Sequence, residues 1–500
     1  MVNAGKLVLL STLAGCAFCL SGSSPARIAG ARNPFRTPAS RIALQPCKVG
    51  GLPEEVRCGT YEVYEDRAAR SGRKIALNIV VVPALSAAPS PDPLFWLEGG
   101  PGGAATHDAF AARGYLSDVR KTHDLVFVDQ RGTGKSNPLQ CDAGDSPDDL
   151  QKFFGGTPLR ESMRVCRETL EKIANLKLYT TPIAMDDLDE VRDALGYNKI
   201  NIGGISYGSL ASQIYLRMHG DHVRTVFLGG VATPNIKQPL QFARSAQHAL
   251  DLLFEDCVAD KDCHESFPNL REEFDALLAR FKDGPLRVDL IRPSDKQKQS
   301  VLIYRDSFTD RVKLMLYNTG GARYIPSVIH KAIQNDFVPF ESAAILVSPG
   351  GIARGMYFSV TCAEGARFIT DDDLIHETTG TFIGDFRARS HREACNDWPR
   401  GDIPANYIEF VKSDVPVLMI VGEVDGAVGP WFPEAAIKSL PNGRLIKIRY
   451  FGHQFGDPCT KSIFSNFIQT GSAAGIDASC TDAIRRPPFP TEFPSRFMVP

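Results

Sequence analysis

Gly204-Ile205-Ser206-Tyr207-Gly208 has the G-x-S-x-G spacing that holds a serine hydroxyl at the apex of a sharp strand-to-helix turn. Glycines on either side let the two backbones approach closely. A serine hydroxyl is a poor nucleophile until a base takes its proton. His453, in Tyr450-Phe451-Gly452-His453, is the one histidine of ten that follows the last two apolar runs. An acid that orients the imidazole should follow the run before it. Gly422-Glu423-Val424-Asp425-Gly426 stands there, so Asp425 is the candidate and Glu423 the rival. The order Ser206, Asp425, His453 is that of a nucleophile, acid and base at successive strand ends. Such a set performs acyl transfer, which also needs two backbone N–H groups for the developing oxyanion. Tyr207, next to the nucleophile, and Gly100, in Glu98-Gly99-Gly100-Pro101-Gly102-Gly103, are the candidate donors.

The elements that must position these residues follow from periodicity. Cys58 to Asp66 and Lys74 to Ala84 alternate apolar and polar residues, as two antiparallel strands would. Pro93 to Leu97 and Asp124 to Asp129 are short buried-type strands, each ending in a glycine-containing loop. Helical spacing covers Leu159 to Ile173 and Met185 to Leu195, before the elbow strand and its helix. A strand over Val223 to Gly230 comes next. Alternating strands and helices imply a mostly parallel sheet covered on both faces. From 233 to 413 helical patterns dominate and strand signals are sparse. Strands at Val415 to Val421 and Gly443 to Tyr450, and a helix at Thr460 to Phe467, then resume the earlier pattern. The expected organisation is α/β. A core over 45–232 and 414–482 is interrupted by a mainly helical insertion of about 180 residues. A proline-rich tail over 483–500 follows.

A net charge of -2 offers no field for nucleic acid. Residues 1–24 resemble an export signal, with Lys6 ahead of an apolar run from Leu7 to Leu20. Leu13-Ala14-Gly15-Cys16 resembles a bacterial lipobox, in which Cys16 would carry a lipid anchor; cleavage nearer Ser24 or Ala31 is the alternative. Elsewhere no run is long enough to span a bilayer. Ten cysteines beyond the signal fall in close pairs: 47/58, 141/166, 257/263, 362/395 and 459/480. Even number, local spacing and an export signal point to disulfides. Sequential pairing is the simplest connectivity, although sequence leaves it open. These cysteines show no metal-ligand spacing, so neither metal nor cofactor is expected. Gly134-Lys135-Ser136 superficially matches the end of a phosphate-binding loop, but Asp129 stands where that motif needs glycine.

The glycine loop at 98–103, Asp129-Gln130-Arg131-Gly132-Thr133-Gly134 and the elbow together resemble the proline iminopeptidase and tripeptidyl aminopeptidase group of α/β-hydrolases. The resemblance extends to Asp187-Leu188-Asp189, to Leu195-Gly196-Tyr197, and to Cys362 with Cys395-Asn396-Asp397-Trp398-Pro399. It reaches the C-terminal Gly452-His453, Asp457-Pro458-Cys459 and Cys480. It implies an α/β-hydrolase fold with a helical cap. It also implies Ser206, Asp425 and His453 as the triad, and Gly100 with Tyr207 as oxyanion donors. Cap carboxylates in this group bind a substrate ammonium, which makes Glu364 the candidate here. Two departures stand out. Glu98 replaces the usual first residue of the glycine loop, and Gly426-Ala427-Val428 follows the acid where relatives often carry Pro-Val-Thr.

The expectation is an exported serine aminopeptidase, periplasmic, extracellular or lipid-anchored to the envelope. Its substrates would be peptides or small molecules with a free N-terminus. The alternatives are an esterase or amidase on small non-peptide substrates, with the same triad, and a non-catalytic binding protein.

Overall fold

A computed structural model of the chain describes residues 41–141, 146–155, 159–348 and 350–494. The expected export signal over 1–24, the expected lipobox at Cys16 and the end of the tail lie outside the described residues. The strands among them are β1 (Gln45–Cys47), β2 (Val56–Tyr64), β3 (Lys74–Val82), β4 (Leu94–Leu97), β5 (Leu125–Val128) and β6 (Ile200–Ile205). β7 (Val223–Gly229), β8 (Leu286–Ile291), β9 (Lys298–Ile303), β10 (Val417–Gly422) and β11 (Gly443–Ile448) complete the set. Nine form one sheet in the order β1-β2-β3-β5-β4-β6-β7-β10-β11. β1, β2, β3 and β5 pair antiparallel in sequence, and every pair from β5 through β4 to β11 is parallel. This is the α/β-hydrolase arrangement.

Burial explains the strand compositions. Leu94-Phe95-Trp96-Leu97 and Leu125-Val126-Phe127-Val128 are buried at every residue, because helices cover both faces of the parallel part. Successive side chains point to opposite faces. Phe95, Val126, Ile202 and Met419 therefore join one core. Trp96, Phe127, Phe227 and Ile420 join the other, against the helix Pro458–Thr470.

The segment between β7 and β10 builds a third core of its own, around Leu250, Phe274, Phe308, Ile329 and Phe340. Phe153 and Phe154, from before the elbow, and Phe489 and Phe493, from the tail, pack into it. The helices Arg354–Glu364 and Phe386–Asp397 instead contribute Met356, Cys362 and Cys395 to the core beneath the sheet. The insertion also holds a hairpin, β8–β9, that the dominance of helical patterns had masked. Its alternation is present in the sequence: Val288 and Leu290 are buried while Arg287 and Asp289 are exposed.

All ten described cysteines are bridged, in the sequential pairing 47–58, 141–166, 257–263, 362–395 and 459–480. Among the described residues no helix is long and apolar enough to cross a membrane.

Candidate active site

The elbow forms where β6 meets the helix Tyr207–His219. Ser206 lies between them at φ 60°, ψ −126°, a conformation that non-glycine residues rarely adopt. The flanking glycines are sterically required. A Cβ on Gly204 would fall 2.4 Å from the Leu97 carbonyl oxygen, and one on Gly208 would fall 2.3 Å from it. The strained serine is held by backbone bonds. Ser206 N–H donates to Gly229 O at 3.1 Å, and Ser209 N–H donates to Ser206 O at 2.9 Å.

His453 follows β11, and Asp425 follows β10. Nδ1 of His453 lies 2.7 Å from Asp425 Oδ2. Asp425 is 1% exposed, and its Oδ1 accepts from the N–H groups of Ala427 at 2.7 Å and Val428 at 2.8 Å. The turn after the acid thus supplies the donors that orient the carboxylate, without the hydroxyl of a Pro-Val-Thr sequence. The other imidazole nitrogen, Nε2, is buried and has no hydrogen-bond partner. The ring packs against the backbone of Gly230, and His453 N–H donates to Tyr317 O. The Tyr317 ring stands edge-on to the imidazole, with centroids 5.4 Å apart. Ser206 is bonded to Gly229 while His453 leans on Gly230, so the two flank one dipeptide at the C-terminal end of β7. Glu423, the rival acid, is 3.9 Å from Arg449 and donates its N–H to Ile448 O.

The glycine loop passes over the serine. A Cβ on Gly99 would meet Ser206 Cβ at 3.4 Å. Gly100 has φ +118° and precedes a cis peptide bond to Pro101. Its carbonyl accepts from Gln238 Nε2 at 3.2 Å. Tyr207 is the first residue of its helix, where backbone N–H groups have no intrahelical acceptor. Gly100 and Tyr207 thus lie on the two segments that bound Ser206.

Glu364 ends the helix Arg354–Glu364, inside the 233–413 segment. It is buried, and its Oε1 accepts from Thr181 N at 2.6 Å and its Oε2 from Thr181 Oγ1 at 2.7 Å. The Tyr407 hydroxyl donates to Oε2 as well. Thr181 Oγ1 in turn lies 2.8 Å from the Tyr207 hydroxyl. Burial pushes the Glu364 carboxyl up to about 7. Both its oxygens are committed to protein donors, so it is not an open carboxylate in the insertion.

Glu98 is partly buried beside Asp108. Burial first, and then the Asp108 carboxylate, raise it well above the ordinary range. The Asp129-Gln130-Arg131 segment acts as a brace. Asp129 accepts from Thr106 N–H at 2.9 Å, Asn78 Nδ2 at 2.9 Å and Lys135 N–H at 3.1 Å. Arg131 donates from Nε and Nη2 to the two oxygens of Asp187, at 2.6 and 2.9 Å. It also donates to the carbonyls of Glu65 and Leu178.

Metal-ligating atoms converge in two places among the described residues, Cys362/His391/Cys395 and Asp189/His219/His222. The first pair of cysteines is spent in a disulfide. In the second, Arg192 Nε and Tyr215 Oη already donate to Asp189. That group lies at the far end of the elbow helix from Ser206. Gln238, Tyr317 and Gly230 were not singled out from sequence. Only the Gly229-Gly230 pair, directly after an apolar run, carried a local signal.

Comparison with known proteins bears on the fold and the family. A family model described as alpha/beta hydrolase fold matches residues 92–310, and one described as TAP-like protein matches 380–480. Tripeptidyl aminopeptidase of Streptomyces lividans is 30% identical over 202 residues, 37% of this chain and 37% of its own length. Serine protease Hip1 of Mycobacterium tuberculosis is 25% identical over 358 residues, 66% of this chain and 67% of its own. Proline iminopeptidase of Neisseria gonorrhoeae is 27% identical over 140 residues, 28% of this chain and 32% of its own. The chain therefore spans little more than a third of the tripeptidyl aminopeptidase it matches.

Proposed function

We propose, from the premise that this chain belongs to the tripeptidyl aminopeptidase-like family of α/β-hydrolases, that it is a serine peptidase releasing residues from peptide N-termini. The observation that carries the reading is the His453–Asp425 pair, whose buried Nε2 has no hydrogen-bond partner, while Ser206 bonds to Gly229 and the imidazole packs on the adjacent Gly230. Ser206 attacks the scissile carbonyl while His453 Nε2 takes the hydroxyl proton. Asp425 holds the Nδ1–H tautomer and stabilises the imidazolium. The N–H groups of Gly100 and Tyr207 receive the oxyanion. His453 then protonates the leaving amine, and water attacking with the same base releases the acyl group. The names of the curated relatives, a tripeptidyl aminopeptidase, a proline iminopeptidase and a serine protease, support peptides as the substrate class. Five disulfides support export to an oxidising compartment. A signal over 1–24, with or without a lipid at Cys16, would provide the route.

One observation favours the esterase or amidase reading instead. The carboxylate expected to receive a substrate ammonium, Glu364, is engaged by Thr181 and Tyr407. Aminoacyl and tripeptidyl chromogenic amides, with free and with blocked N-termini, separate the two readings when assayed beside simple esters. The peptidase reading expects cleavage of free-N-terminus amides only. Cleavage indifferent to blocking, or of esters alone, would overturn it. Loss of fluorophosphonate labelling in Ser206→Ala tests the nucleophile.

A further inference from the structure

Near His453 two cationic side chains of the insertion, Lys313 and Arg387, meet on one carboxylate, Asp310. Lys313, on the helix Arg305–Met315, is 1% exposed. Its ammonium lies 3.0 Å from Asp310 and 4.4 and 5.5 Å from the ring centres of Phe242 and Tyr317. Arg387, from the helix Phe386–Asp397, pairs with the same Asp310 and covers the same Phe242 ring, 5.0 Å from its centre. Arg387 Nε is buried without a hydrogen-bond partner. Two cations thus share one carboxylate within aromatic walls. The Arg387 and Asp310 side chains are 32% and 31% exposed, so a second anion can reach the Arg387 guanidinium from solvent.

The cluster is also tied to both halves of the catalytic centre. On one side, Lys313 faces the Tyr317 ring that stands against His453. On the other, Arg387 lies within electrostatic reach of Tyr357, whose hydroxyl accepts from Gln238 Nε2 at 3.4 Å; that amide also donates to Gly100 O. An anion held by Arg387 and Lys313 would therefore belong to a molecule already in the site.

We propose that Arg387 and Lys313 form a subsite that receives a substrate carboxylate, so that the enzyme prefers substrates carrying a negative charge near the bond it cuts. This rests on the hydrolase reading above and reverses the sign of the charge expected at the insertion. The carboxylate is either the C-terminus of a short peptide or an acidic side chain. Arginine suits it because its planar fork matches the two oxygens of a carboxylate.

The test uses the mature chain and matched substrates. One pair of free-N-terminus peptides differs in C-terminal acid against amide, a second in Glu against Gln next to the scissile bond. A third pair compares the p-nitrophenyl monoester of glutaric acid with its methyl-capped diester. The expected result is a preference of about tenfold or more in kcat/KM for the charged member of at least one pair, expressed mainly in KM. The pair that shows it identifies the source of the carboxylate. Arg387→Gln should bring that ratio towards one, and Arg387→Lys should retain part of it. Wild-type ratios near one in all three pairs would overturn the proposal, as would equal losses on charged and neutral members in Arg387→Gln. If peptides resist cleavage while the ester pair discriminates, the peptidase reading fails and the carboxylate subsite stands. Should Arg387→Gln not fold, inhibition of the wild type decides. Glutarate should inhibit ester hydrolysis and glutaramide should not; equal potency counts against the subsite.

Discussion

The imidazole of His453 rests on the backbone of Gly230, so closely that a Cβ there would lie 2.8 Å from both Cε1 and Nδ1. Gly230 also has φ +47°, a region that disfavours side chains. Gly230→Ala should therefore push the ring away from Asp425 and Ser206. A displacement on the order of 1 Å lowers kcat by about a hundredfold, with KM little changed. Steady-state kinetics on a well-folded variant check this. A kcat within a factor of about three of wild type would show that the ring tolerates the shift.

Asp425 makes three short contacts, one to His453 and two to backbone N–H groups. Asp425→Asn preserves the shape but presents an amide that cannot hold the Nδ1–H tautomer in place. Turnover should fall by about 10⁴ while thermal stability changes little. Near-normal turnover would remove Asp425 from the catalytic set and reopen the case for Glu423.

Glu364 gives a pH dependence of stability. Its carboxyl is pushed up to about 7 in the fold from an ordinary value of 4.5, by burial. Between these values the folded chain keeps a proton that the unfolded chain has released. Stability from this group is thus greatest below about 4.5 and declines as pH rises to about 7. Glu364→Gln should remove that decline. The variant should gain on the order of 1–3 kcal/mol relative to wild type between pH 4.5 and 8. Melting temperatures at both pH values test this, and a difference between variant and wild type that is constant with pH would refute it.

Arg131 is fully buried and spans Asp187, Glu65 and Leu178. Asp187→Asn leaves that guanidinium charge buried against a neutral partner. The expected cost is about 3–5 kcal/mol, measured as a lower denaturant midpoint at unchanged slope. A loss under about 1 kcal/mol would mean that Arg67, which also donates to Asp187 at 2.8 Å, and the carbonyls suffice to hold the region.

Much of this arrangement is legible along the chain because it is local. Leu94–Leu97 and Leu125–Val128 are apolar at every position, which marks strands buried on both faces. Gly204, Ser206 and Gly208 mark a turn because backbone conformation depends on the residues that adopt it. The cysteine pairing was equally local, since each bridge joins neighbours in the cysteine order. Less visible was the β8–β9 hairpin, whose alternation spans six residues per strand amid long helical patterns.

Sequence by itself determined the α/β order of elements and the strand ends on which Ser206, Asp425 and His453 stand, because periodicity and turn chemistry act over a few residues. Only the tertiary structure decided their surroundings. It set His453 on Gly230 and under Tyr317, committed Glu364 to Thr181 and Tyr407, and gathered Lys313 and Arg387 around one Asp310. These neighbours come from segments tens to hundreds of residues apart. Their meeting is decided by how the insertion's core packs against the sheet, and no spacing along the chain encodes that.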